Sequence, residues 1–151
     1  MRGRKQIEIS FIICLAAALL ISMPGFAKSR RMAVTVSVAN IRSGAGTGFP
    51  TLWRVEKFMP VTVIRESKGW YFFTDFEGSR GWIKKDLVGS LDTVITKKKL
   101  CNIRTGPGTG FDIAFQAEKG VPFKVLKRKG KWLKVLHSDG DRGWVYESLV
   151  W

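Results

Sequence analysis

Shifted by 62 residues, this chain matches itself without a gap, Asn40 to Val88 falling on Asn102 to Val150. Asn40-Ile41-Arg42-Ser43-Gly44-Ala45-Gly46-Thr47-Gly48-Phe49 meets Asn102-Ile103-Arg104-Thr105-Gly106-Pro107-Gly108-Thr109-Gly110-Phe111. Farther on, Glu56-Lys57, Pro60, Trp70, Arg80-Gly81-Trp82 and Leu87-Val88 meet Glu118-Lys119, Pro122, Trp132, Arg142-Gly143-Trp144 and Leu149-Val150. Self-similarity at a fixed period marks a duplicated structural unit. The organisation expected is a leader over 1–27, a basic segment over 28–33, one module over 34–89, a linker over 90–93 and a second module over 94–151. So short a linker keeps the modules close enough to share an interface.

Each copy reads as all-β. Val34 to Ile41 and Val94 to Ile103 begin as strands, and the glycine-rich decapeptides cannot hold a strand or a helix. Trp70 to Thr74 and Arg80 to Ile83 flank Glu77-Gly78, and Trp132 to Leu136 and Arg142 to Val145 flank Asp139-Gly140, a hairpin signal in each copy. No segment sustains a helical period, and several short strands in so small a unit close most economically as a twisted barrel. Alternation sorts the side chains. In Trp132-Leu133-Lys134-Val135, lysine cannot sit in a core, so Leu133 and Val135 point inward and Trp132 and Lys134 outward. The same register sends Tyr71, Phe73, Ile83 and Val145 inward and Trp70, Phe72, Trp82 and Trp144 outward.

The first residues have the anatomy of a secretory leader: basic Arg2, Arg4 and Lys5, an apolar run from Ile9 to Ile21, and small residues Gly25 and Ala27 before a cut. Spanning a bilayer takes about 20 apolar residues, more than this run supplies, so an uncleaved anchor is the lesser alternative. Cys14 lies within the run, away from the cut where lipidation would need it. Cleavage leaves Cys101 as the one cysteine, so no internal disulfide can form. The net charge of +14 is concentrated in Lys28, Arg30 and Arg31, in Lys97 to Lys99, and in Lys127 to Lys131. Outside the cytoplasm that surplus favours wall polymers, lipopolysaccharide or acidic lipid over nucleic acid; equally, lysine-rich turns simply keep a small domain soluble.

Chemistry finds little purchase. Gly44 to Gly48 has the flavour of a phosphate loop but lacks the helix and the Lys-Ser or Lys-Thr pair such a loop needs, so a tight turn with positive φ is expected instead. Cys101 aligns with Ala39 and His137 with Asp75, so the repeat treats them as a small strand residue and a turn residue, not as a nucleophile and its base. Asp139 and Asp141 fall in a hairpin turn, where carboxylates are ordinary, and no metal or other cofactor is expected.

The chain resembles the bacterial SH3 domain family, SH3b. The resemblance is carried by Asn40 to Gly46 and Asn102 to Gly108, by Gly69-Trp70-Tyr71 and Lys131-Trp132-Leu133, and by Gly81-Trp82-Ile83 and Gly143-Trp144-Val145. It implies two tandem SH3-like β-barrels, exported to the periplasm or cell wall and serving as targeting modules, commonly for peptidoglycan. Looser likeness to eukaryotic SH3 domains places Trp70 and Trp132 at the groove tryptophan, and Trp82 and Trp144 at a groove tyrosine. Lys84 and Leu87, or Tyr146 and Leu149, replace the closing proline and tyrosine, and Arg42 with its glycine loop replaces the acidic stretch, so proline-rich ligands are not implied. The candidate binding residues are Arg42, Trp70, Phe72, Trp82, Arg104, Trp132, Lys134 and Trp144, their rings and cations suiting the sugars and carboxylates of peptidoglycan or another anionic envelope polymer. The expected protein is non-catalytic and uses no cofactor. The alternatives kept open are an adaptor for an envelope protein or a sensor module in the envelope, and salt-sensitive adhesion to lipopolysaccharide or anionic lipid.

Overall fold

A computed structural model describes residues 30–151; the expected leader lies outside the described residues. The first module contains β1 (Arg30–Val34), β2 (Val38–Arg42), β3 (Thr51–Glu56), β4 (Pro60–Ser67), β5 (Trp70–Thr74), β6 (Arg80–Lys84) and the two-residue β7 (Val88–Gly89). The second contains β8 (Thr93–Ile95), β9 (Leu100–Arg104), β10 (Ile113–Glu118), β11 (Pro122–Lys129), β12 (Trp132–Leu136) and β13 (Arg142–Tyr146). A single 3-10 turn follows β6 and β13 alike. The sheets run β3-β2-β6-β5-β4-β1-β7 and β10-β9-β13-β12-β11-β8, the same order apart from the extra edge strand β7 of the first. These are two tandem all-β, SH3-like domains.

Period-two alternation builds both cores. Ile41, Val61, Phe73 and Ile83 are fully enclosed in the first, and Ile103, Phe123, Val135 and Val145 in the second. The hairpin turns close on glycines at positive φ, 87° at Gly78 and 105° at Gly140, with the Asp75 amide donating to the Ser79 carbonyl and the His137 amide to that of Asp141. A bulge at Ile64 and at Leu126 bends β4 and β11 at matching places, which lets a short sheet curl around so small a core.

Two expectations change. Val34 to Ile41 is not one strand: Thr35 and Ser37 turn away to bond the Leu87 carbonyl and the Lys57 amide, so β1 and β2 lie in different parts of the sheet. Val94 to Ile103 divides the same way at Lys97 to Lys99. Arg30 and Arg31, assigned by sequence to a segment ahead of the module, are paired β1 residues opposite Val63 and Thr62, and Thr93, assigned to the linker, starts β8.

The modules are joined by more than chain continuity. Ile95 of β8 belongs to the first core and Trp151 packs on it. The Arg31 guanidinium donates to the Trp151 carbonyl at 2.8 Å, lies 3.9 Å from the centre of its ring, and reaches the Thr93 carbonyl at 3.4 Å. Lys119 pairs with Glu77 across the same junction at 2.5 Å.

Candidate functional site

Antiparallel pairing decides which outward side chains are neighbours, because directly opposed residues share a face. In the first module Trp70 stands opposite Lys84, Phe72 opposite Trp82, and Trp82 again opposite Arg42. In the second, Trp132 stands opposite Tyr146, Lys134 opposite Trp144, and Trp144 opposite Arg104. All eight candidate residues thus fall on the outer face of β5–β6 or β12–β13 or on the strand beside it. Tyr71, Phe73 and Ile83, with Leu133, Val135 and Val145, fill the cores behind them. Outward does not mean open: Trp70 is only 9 % exposed although it lies outside the core cluster, whereas Trp132 is half-buried.

The second module carries a groove of about 590 Å³. Trp132 and Tyr146 meet edge to face with ring centres 5.3 Å apart and form its aromatic wall. Arg104, Gly108 and Thr109 bring the glycine loop to it, and Leu100, Asn102 and Leu149 complete the lining. Of the residues expected from sequence, Arg104 and Trp132 enter this groove; Trp144 and Lys134 line the sheet outside it. Tyr146 was missed as a wall. The signal was available, since Tyr146 is two residues beyond outward-facing Trp144 on the same strand.

The glycine loops are shaped by contact, not by positive φ. None of their glycines is in the left-handed region; instead the Phe111 ring lies on Gly106, where a Cβ would come within 2.3 Å of it, and Phe49 lies on Gly44 at 2.4 Å. One guanidinium nitrogen of Arg104 donates to the Phe111 carbonyl at 2.8 Å, and Arg42 does the same to Phe49 at 2.7 Å. Both arginines therefore pin the loops, and only their remaining N–H groups can serve a ligand.

The first module differs at the matching places. Lys84 occupies the position of Tyr146 and reaches Asp86 at 3.5 Å in an exposed pair. Phe72 and Trp82 pack at 5.2 Å, and the Arg65 guanidinium covers both rings at 4.7 and 5.3 Å. An aromatic pair under an arginine replaces the aromatic corner.

Cys101 and His137 are not brought into a hydrogen bond. The Cys101 thiol is enclosed in β9 near the carbonyls of Lys98 and Leu149, and burial pushes its pKa up, keeping it protonated and unreactive. The His137 Nδ1 lies 2.8 Å from an Asp139 carboxylate oxygen that also accepts from the Asp141 amide. That amide first, and His137 second, hold the Asp139 carboxyl below its ordinary range. Among the described residues no three of His, Cys, Asp and Glu gather closely enough to hold a metal ion.

Comparison with known proteins agrees with the duplication. The bacterial SH3 domain model matches residues 35–89 and again 97–151. "Putative N-acetylmuramoyl-L-alanine amidase YrvJ" of Bacillus subtilis is 25% identical over 122 residues, which cover 74% of this chain and 23% of that protein. "Probable cell wall amidase LytH" of Staphylococcus epidermidis is 40% identical over 52 residues, 34% of this chain and 18% of that one. The chain thus spans about a fifth of the length of these relatives. Among solved structures, an NlpC/P60 family protein from Bacillus cereus aligns over 81% of this chain and 56% of its own, at 12% identity and a TM-score of 0.40.

Proposed function

This chain belongs to the bacterial SH3 domain family, and from that premise we propose that it is an exported, non-catalytic binding protein of the cell envelope whose second module holds peptidoglycan. The observation that carries the reading is the Trp132–Tyr146 corner in an open groove with Arg104 beside it. Indole and phenol faces bury the apolar faces of sugar rings, and the free N–H groups of Arg104 suit the carboxylates of peptide stems. The names of the relatives, both amidases and one of the cell wall, support the same destination. Catalysis is no part of the reading: the Cys101 thiol is enclosed, and burial pushes its pKa up, away from the thiolate a nucleophile needs.

The test is sedimentation of the full chain with purified sacculi across a salt series. Binding should persist at physiological salt, where exposed charge pairs are largely screened, and Tyr146→Lys should weaken it about tenfold, the loss of one aromatic anchor. Protein left in the supernatant at low salt would overturn the reading. The Arg65-capped pair Phe72–Trp82 supports a second reading, an adaptor for an envelope protein, because arginine and aromatic clusters are common anchors of protein interfaces. Crosslinking that recovers one stoichiometric partner, lost on Phe72→Ala, would support it.

A further inference from the structure

The outer face of β11, β12 and β13 carries cations in every row. Lys129 opposes Trp132; Lys127 opposes Lys134, which opposes Trp144; Lys124 opposes Leu136, which opposes Arg142. No carboxylate stands in these rows, and among the described residues none of the five cations forms an ion pair. Two lysines directly across a sheet repel each other, so the Lys127–Lys134 pair is a cost that folding does not require. The first module shows as much. It builds the same sheet with Thr62, Ser67 and Phe72 where the second has Lys124, Lys129 and Lys134, and there Arg65 is occupied by Phe72 and Trp82.

We propose that this face is a docking surface for an extended polyol-phosphate chain, a linear polymer of sugar alcohols joined by phosphodiesters. It lies beside the groove assigned to peptidoglycan and does not depend on that assignment. Alternate residues of a strand advance about 7 Å, close to the extended repeat of a three-carbon polyol phosphate, so successive rows meet successive phosphates. Four of the five cations are lysines, whose ammonium groups meet phosphate as point charges. The twist of the sheet rotates each strand against the next. A flexible chain follows that rotation, while a flat bilayer cannot touch all three rows together.

The experiment is titration of the full chain with labelled poly(glycerol phosphate), polygalacturonate and phosphatidylglycerol vesicles at equal anionic charge. The polyol phosphate should bind tightest. K127Q/K134Q should weaken it roughly tenfold at low salt and flatten the plot of log affinity against log salt by about one to two counterions released. K97Q/K98Q, which removes equal charge from the exposed turn before β9, should change it less than threefold, roughly the loss of nonspecific attraction. Equal losses in the two variants, or equally tight binding of polygalacturonate or vesicles, would overturn the proposal. Sedimentation with sacculi stripped of phosphate polymers should ignore K127Q alone and respond to Trp132→Ala, so this surface and the groove stand or fall separately. All four lysines concerned are at least partly exposed, and circular dichroism checks that both variants fold.

Discussion

The two modules share a strand order and differ most on the face that looks outward. In the first, Phe72, Trp82 and Arg65 form a tilted aromatic pair under a guanidinium beside Lys84; in the second, Trp132 and Tyr146 form a corner next to rows of lysine. Inside, the difference is smaller and compensated. Phe73 on β5 packs with Val61 on β4, whereas Val135 on β12 packs in the core with Phe123 on β11, the bulky ring having exchanged strands with the valine. Core volume is conserved by trading partners; the outer rows, which the fold does not need, have diverged in chemistry. What the duplication preserved is the scaffold, and what it released is the outer face.

Exchanging the core pair is the hardest test of that comparison. Phe73→Val alone should destabilise by about 3 kcal/mol through the cavity it leaves, and Val61→Phe alone by about 2 kcal/mol through overpacking. Together they should restore most of the loss, a favourable coupling of at least about 2 kcal/mol in chemical denaturation; simple additivity would show that the two cores are not interchangeable. Next come the glycines behind the grooves. A Cβ on Gly143 would lie 2.9 Å from the Arg104 carbonyl oxygen and 2.5 Å from Ile103, while on Gly81 the backbone contact relaxes to 3.4 Å and the closer atoms belong to side chains, Ile41 at 2.3 Å and Trp53 at 3.2 Å. Gly143→Ala should therefore cost about 3 kcal/mol and Gly81→Ala about 1 kcal/mol less, read as separate melting shifts. The junction gives the smallest effect. Arg31→Ala removes two hydrogen bonds and the contact with the Trp151 ring, and about 1 kcal/mol of stability with them; proteolysis between Gly89 and Thr93 should accelerate while each core survives.

Much of this was legible before any coordinates. The repeat set the number of modules, and lysine in Trp132-Leu133-Lys134-Val135 settled which face was inside, because period two leaves no other place for it. Local signals sufficed for the hairpins at Gly78 and Gly140. The illegible parts depend on distant partners. Arg30 and Arg31 look like a solvated tail until β4 pairs with them, and Trp151 looks like a chain end until it closes on the first module. In sequence the glycine loops suggest a need for positive φ; the actual reason, Phe49 and Phe111 lying on Gly44 and Gly106, is a contact that composition does not announce. Trp70 and Trp132 are equivalent in sequence, yet one is covered beside Lys84 and the other lines a groove beside Tyr146.

The most direct test of the second module as the wall-binding one is the affinity of the full chain for purified sacculi in two single variants, Trp132→Ala and Trp70→Ala, at physiological salt. Trp132→Ala should lose tenfold or more, roughly the worth of a central aromatic anchor, with Trp70→Ala within about twofold of the parent. Equal losses, or a greater loss from Trp70→Ala, would contradict the assignment.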